Sequence, residues 1–296
     1  MDRFISKIKY DTDETVLKKM YNLYLDTPIA IKYLKKIGVP EEVIKDNITK
    51  IYDFVVDCRY CSNCPGLANC KKENPLLIHE IVYKNDYLDV NLSPCKQYLK
   101  DLTIRSSFIV SDFPNEWWGI DLKSINKNKR RTEAIVAYAS YLKGESSRWL
   151  YLTGAPSTGR SYLATAIALD LAKRNKGPIA FINAMKTFNE LNSLSYKDNA
   201  LFLDYIDKFS KVNILVIDDF GNELKTDVVR ESIIFNILNK RAALKLFTIF
   251  TSDFDIDDII TMLDTNKSSG PKAKLIGRIL KANCQEEINL GEISLY

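Results

Sequence analysis

The residues with the clearest chemistry form the run Gly154-Ala155-Pro156-Ser157-Thr158-Gly159-Arg160-Ser161. It is a G-x-x-x-x-G-K-[ST] phosphate-binding loop with arginine in the lysine slot. Glycines let the backbone curl so that successive N–H groups converge on one anion. A helix starting directly behind the loop adds its own unpartnered N–H groups and positive end. Tyr162 is the next residue of that helix. Lysine reaches the β- and γ-phosphates as a compact ammonium on a thin stem, whereas a guanidinium is wide, planar and bidentate. Arg160 therefore keeps the charge and changes the shape, so binding can survive while hydrolysis falls. A working variant and a weakly active site are both open readings.

A second half of such a site follows about 60 residues later. The apolar run Asn213-Ile214-Leu215-Val216-Ile217 ends in Asp218-Asp219. Asp218 is expected to hold Mg²⁺, through water and with help from Ser161, and Asp219 to orient or activate the attacking water. The run Phe247-Thr248-Ile249-Phe250 ends in Thr251-Ser252-Asp253. A strand end of this kind, here Ser252, can present a polar group to the γ-phosphate, although Ser and Asp also simply start loops. The stretch Lys272 to Ala282 carries Lys272, Lys274 and Arg278. Arg278 is a candidate arginine finger for a neighbouring subunit's nucleotide; a solvated basic face is the alternative.

A separate chemistry is signalled by cysteine. Cys61-Ser62-Asn63-Cys64 followed by Cys70 gives C-x2-C-x5-C, with Cys58 just before it and Cys95 beyond. Two cysteines three apart can grip one tetrahedral ion, and clustering in a reducing compartment favours metal over disulfide. Cys61, Cys64, Cys70 and Cys95 are the preferred structural Zn²⁺ ligands. His79, the sole histidine, and Cys58 are the alternatives for the fourth position, and free thiols in a small core are the alternative for the whole cluster.

These groups need a scaffold. Residues 14–57 read as helices, the best from Pro40 to Val56 with Ile44, Ile48, Ile51, Tyr52 and Val55 on one face. Leu76–Tyr83 and Tyr87–Leu92, around Lys84-Asn85-Asp86, read as a β-hairpin. Residues 101–118 read as a connector, with a domain boundary near residue 103. Beyond it, candidate strands at 149–153, 178–183, 213–218, 247–252 and 286–290 alternate with helices at 129–143, 160–174, 184–193, 199–209, 226–243 and 272–282. That alternation predicts a parallel five-stranded sheet covered on both faces, with no helical lid after its last strand.

Composition limits the alternatives. Of the 296 residues, 46% are hydrophobic and 27% charged, as in ordinary globular proteins with room for two domains. There is no apolar run of membrane-spanning length and no signal-peptide core at the start, so a cytoplasmic protein with no membrane partner is expected. A net charge of +4 permits nucleic-acid contact without arguing for it. Lys123, Lys127, Lys129, Arg130 and Arg131 suit a nucleic-acid backbone or, more simply, a solvated helix face. Trp117-Trp118 suit core packing better than base stacking.

Together these features resemble a known family. Residues from about 105 to 292 are similar to the ATPase domain of bacterial helicase loaders of the DnaI and DnaC type, which are AAA+ proteins. The resemblance lies in Gly154 to Ser161, Ile214 through Glu223, Val229-Arg230, the Thr251-Ser252 strand end and the helix bearing Arg278. The first hundred residues, with the cysteine knuckle, look like the zinc-containing helicase-interaction domain of such loaders. The resemblance implies a division at residues 1–102 and 103–296. It implies binding of ATP, Mg²⁺ and single-stranded DNA, capture of the replicative hexameric helicase, and nucleotide-dependent self-association during primosome assembly in DNA replication. Arg160, Asp253 (asparagine is common there) and Lys274 (arginine is frequent there) depart from the pattern, and each bears on hydrolysis rather than on partner binding. A non-hydrolysing helicase-binding adaptor and a transposition helper ATPase remain the alternatives.

Overall fold

The computed structural model describes residues 13–126, 128–264 and 269–291. The chain divides into two compact units, residues 1–102 and 103–296.

In the first unit α1 (Glu14–Leu25), α2 (Pro28–Lys36), α3 (Glu41–Asp46) and α4 (Ile48–Cys61) precede a hairpin of β1 (Leu77–Lys84) and β2 (Tyr87–Pro94). The single helix expected over 40–56 is broken at Asn47, whose side-chain amide donates to the Val43 carbonyl at 2.9 Å. Its apolar face survives the break: Ile44, Ile48, Ile51 and Val55 are buried together with Leu34, Ile81 and Leu88. Asn85 and Asp86 both take left-handed angles (φ 51° and 59°), the geometry of a tight two-residue hairpin turn. Helix α5 (Lys96–Ser106) follows the hairpin.

The second unit begins with β3 (Phe108–Ser111), α6 (Lys129–Leu142), β4 (Trp149–Thr153), α7 (Arg160–Lys173) and β5 (Ile179–Asn183). Next come α8 (Ala184–Lys197), α9 (Asn199–Lys211), β6 (Ile214–Asp218) and a π-helical segment, Val228–Phe235, that continues as α10 (Asn236–Leu244). The chain then forms β7 (Thr248–Ser252), α11 (Ile256–Leu263), α12 (Gly270–Asn283) and β8 (Cys284–Asn289). The strands form one sheet in the order β3-β5-β6-β7-β4-β8, and every pairing is parallel.

The sheet therefore has six strands, not five. The sixth, β3, lies inside the supposed connector at the sheet edge. Its apolar run, Phe108-Ile109-Val110, is shorter than those of β4 and β6, and no residue of it is fully buried. One hydrophobic layer joins α6 and α7 to one sheet face through Ala134, Tyr138, Leu163, Ile167 and Leu171. The other joins α8 to α12 to the opposite face through Phe188, Phe209, Ile237, Ile259 and Ile276. Trp117 and Trp118 pack on the first of these layers, and Trp118 meets Phe108 and Phe113 edge-on. Among the described residues no helix is long and apolar enough to cross a membrane.

Candidate functional site

Parallel strands deliver their functional loops at one edge of the sheet, and β4 and β6 supply the two halves here. β4 ends at Thr153, the loop occupies 154–159, and α7 opens at Arg160. Three positive dihedrals curl the loop: Gly154 (φ 141°), Ser157 (φ 64°) and Gly159 (φ 86°). A Cβ on Gly154 would lie 2.9 Å from the Gly291 carbonyl oxygen, so no side chain fits there. The Ala155 N–H donates to that same carbonyl at 3.0 Å. Buried Thr158 closes the loop by donating from Oγ1 to the Ala155 carbonyl at 2.8 Å. Pro156 and Ser157 stand exposed at the tip. The N–H groups of Arg160, Ser161 and Tyr162 fall in the first turn of α7, where helix geometry offers them no carbonyl. Such a cradle of backbone donors fits a polyphosphate.

Arg131 braces the cradle from α6. It is buried, not part of a solvated face, and donates to the Thr158 carbonyl at 3.0 Å and the Asn126 carbonyl at 3.1 Å. Lys123, Lys129 and Arg130 are exposed, and Lys127 lies outside the described residues.

The acids sit at the end of β6. Asp218 is buried, accepts the Thr251 hydroxyl at 2.6 Å, and also engages the Ser161 hydroxyl. Burial lifts its carboxyl to about 6; the Thr251 and Ser161 hydroxyls and Arg160 oppose the rise, and the neighbouring Asp219 charge adds to it. Folding thus favours the protonated acid. This contribution is intact below about pH 4, where folded and unfolded chains are both protonated, and is lost as pH rises to 6. At pH 7 the cost is about 3 kcal/mol. Asp218→Asn keeps the Thr251 bond and is expected to stabilise the metal-free chain at pH 7 by about 1–3 kcal/mol, an advantage that vanishes near pH 4. Urea midpoints across that range check this; a pH-independent difference contradicts it.

Asp219 takes a left-handed angle (φ 56°) and is half-buried. Its N–H donates to Thr251 Oγ1 at 3.0 Å, and its Oδ2 accepts the Asn183 amide at 3.2 Å. Asn183 was not singled out from the sequence. The available signal was its place as the last residue of a strand that pairs with β6, with Asn183 opposite Asp218.

Arg160 is buried under the loop. Its Nη1 donates to the carbonyls of Gly154 and Ser252, and its Nη2 to Asp253 Oδ1. Ser252 is fully buried, with its hydroxyl donating to the Phe220 carbonyl at 2.6 Å and accepting the Phe254 N–H at 3.0 Å. Val229 and Arg230 are buried in the π-helical segment. Arg278 and Lys274 stand exposed on α12, while Lys272 lies 3.8 Å over the Phe235 ring.

In the first unit, Cys61, Cys64, Cys70 and Cys95 line one cavity of about 330 Å³. Among the described residues no three His, Cys, Asp or Glu side chains stand as a metal-holding group. Cys58 packs against the helical core, where burial pushes its thiol up to about 11. His79 is engaged with Asp57, its Nδ1 lying 3.0 Å from Oδ2.

A phosphate loop between β4 and α7, acids ending β6, and helices on both faces of a parallel sheet define a P-loop nucleotide-binding domain. The profile of the IstB-like ATP binding protein family matches residues 120–276, over half of the chain, and the chain belongs to that family. The replicative helicase loader DnaI of Bacillus subtilis (strain 168) is 22% identical over 234 residues, 75% of this chain and 73% of its own. A crystal structure of DnaI superposes with a TM-score of 0.55 at 28% identity, covering 62% of this chain and 97% of that one. A solved protein of Streptococcus pyogenes serotype M3 shares the fold at 22% identity and a TM-score of 0.51, over 66% of this chain and 98% of its own. The resemblance to DnaI-type loaders read from the motifs is borne out.

Proposed function

We propose that this chain is an ATP-dependent loader of a replicative hexameric DNA helicase. The observation that carries the proposal is the extent of the similarity to the Bacillus loader. It spans 75% of the 296 residues. The second unit, residues 103–296, is only about two thirds of the chain, so the similarity reaches into the first. A generic P-loop ATPase would match the second unit alone.

In this reading the unit 103–296 holds ATP on the loop Gly154 to Ser161 and the start of α7 at Tyr162. Asp218 and Ser161 would hold Mg²⁺, which supplies charge neutralisation across the phosphates. Asp219, aimed by Asn183, accepts a proton from the attacking water. Exposed Arg278 is available to a neighbouring subunit's nucleotide, which ties self-association to ATP. Single-stranded DNA meets the same unit. The unit 1–102 engages the helicase, and Cys61, Cys64, Cys70 and Cys95 would hold a Zn²⁺ with a structural role. The shared cavity supports that ligand set over His79 and Cys58, both of which have other neighbours.

A second reading, a non-hydrolysing adaptor, is favoured by one observation: the Arg160 guanidinium is already occupied by Gly154, Ser252 and Asp253. The test is light scattering on the full chain mixed with the replicative helicase, with and without ATP and Mg²⁺, alongside phosphate release. A complex that changes with nucleotide, together with turnover, supports the loader. A nucleotide-indifferent complex without turnover supports the adaptor. Absence of any complex removes both.

A further inference from the structure

Arg160 and Asp253, two separate departures on the sequence, are partners in the fold. β4 and β7 are adjacent and parallel with Thr153 opposite Ser252, so Asp253 emerges beside Gly154 and the buried start of α7. The Arg160 side chain is only 7% exposed, and its guanidinium spans the Gly154 and Ser252 carbonyls and Asp253 Oδ1. The other oxygen of Asp253, Oδ2, accepts the Asn222 amide at 3.1 Å. One carboxylate therefore ties the cation of the phosphate loop to the segment just after Asp218-Asp219. A flat guanidinium spreads its donors over separate nitrogens and so reaches acceptors on both sides of it; a lysine ammonium also has three donors but presents them all from one nitrogen.

We infer that Asp253 is the positioning residue for Arg160 and that the two function as one unit: the residue that works at position 160 is decided by the residue at 253. Arginine with aspartate, and lysine with a neutral amide, are matched sets. Lysine brings the same charge on a single nitrogen, so pairing it with Asp253 draws it off the Gly154 and Ser252 carbonyls that Nη1 now serves. Arginine opposite an amide loses its charged partner and keeps only a neutral, weaker acceptor. Restoring the usual loop lysine alone therefore harms this site.

The inference rests on the nucleotide-binding reading, and its test separates the two. Calorimetric titration of the full chain with ATP and Mg²⁺ is done on wild type, Arg160→Lys, Asp253→Asn and the double variant. Each single variant is expected to bind about tenfold more weakly, and the double to return to within about threefold of wild type. Lysine alone binding as tightly as wild type, or a double whose loss is the product of the two single losses, overturns it. Urea midpoints of the same four proteins without nucleotide give a second readout. Both single variants are expected to unfold earlier and the double to recover; additive midpoints overturn the pairing even if ATP does not bind. Absence of ATP binding by folded wild type instead removes the nucleotide-binding reading.

Discussion

Asp219→Asn is expected to cut Mg²⁺-dependent phosphate release by about a hundredfold or more while leaving ATP affinity within a few fold. The separation follows from geometry. Asp219 lies beyond the end of β6 in a left-handed conformation that asparagine tolerates well, so the backbone need not move. Its N–H bond to Thr251 does not involve the side chain. What is lost is a carboxylate, held by the Asn183 amide, that can take a proton from water. Asp218, buried and bonded to Thr251 and Ser161, keeps both bonds in this variant. Single-turnover phosphate release beside equilibrium ATP titration reads the two effects separately. An unchanged rate, or an affinity loss as large as the rate loss, contradicts this role for Asp219. A wild-type rate at the buffer background supports the adaptor instead.

Lys72→Met is expected to destabilise the first unit by about 3–5 kcal/mol, because it strands a buried carboxylate. Lys72 Nζ lies 2.8 Å from Asp57 Oδ1, with only 7% and 8% of the two side chains exposed. The same ammonium donates to the Leu77 carbonyl. Asp57 Oδ2 accepts the His79 backbone N–H at 2.7 Å and faces its ring Nδ1 at 3.0 Å. Helix α4, the segment after Cys70 and strand β1 are thus joined through one carboxylate. Removing the ammonium takes away the lysine partner of Asp57 in a low-dielectric setting, which costs more than the exposed pairs elsewhere on the chain contribute. The companion Asp57→Asn/Lys72→Met protein removes both charges and is expected to recover much of the loss. Urea unfolding monitored on the first unit's tyrosines checks both. A single variant within about 1 kcal/mol of wild type contradicts the account.

The parts of this molecule legible in the sequence are those set by local pattern. Strands β4 and β6 read cleanly because five consecutive residues in each are buried on both faces, leaving apolar runs bounded by loop chemistry. The phosphate loop read cleanly because its glycines are demanded by backbone angles at Gly154 and Gly159. Strand β3 is less legible because its apolar run, Phe108-Ile109-Val110, is only three residues long and lies in an edge strand that is nowhere fully buried. Helix α11 was overlooked although its signal was present: Asp255 caps it by accepting the Asp258 N–H at 2.7 Å, and Ile256, Ile259 and Leu263 are spaced for one buried face. Arg131, Asn183 and the Arg160–Asp253 pair were beyond local pattern. Each depends on which strands or helices become neighbours, and Arg160 and Asp253 meet across 93 positions only through the pairing of β4 with β7. For the same reason the two departures looked like independent damage to a catalytic site.

In the proposed function the second unit binds a nucleotide on the loop between β4 and α7. This binding is tested most directly by equilibrium titration of the full-length chain with ATP in the presence of Mg²⁺, repeated with Gly154→Val. Saturable binding of one nucleotide per chain below millimolar ATP is expected, lost in the variant because no Cβ fits beside the Gly291 carbonyl. No saturation at millimolar ATP by folded wild type, or equal binding by the variant, would contradict it.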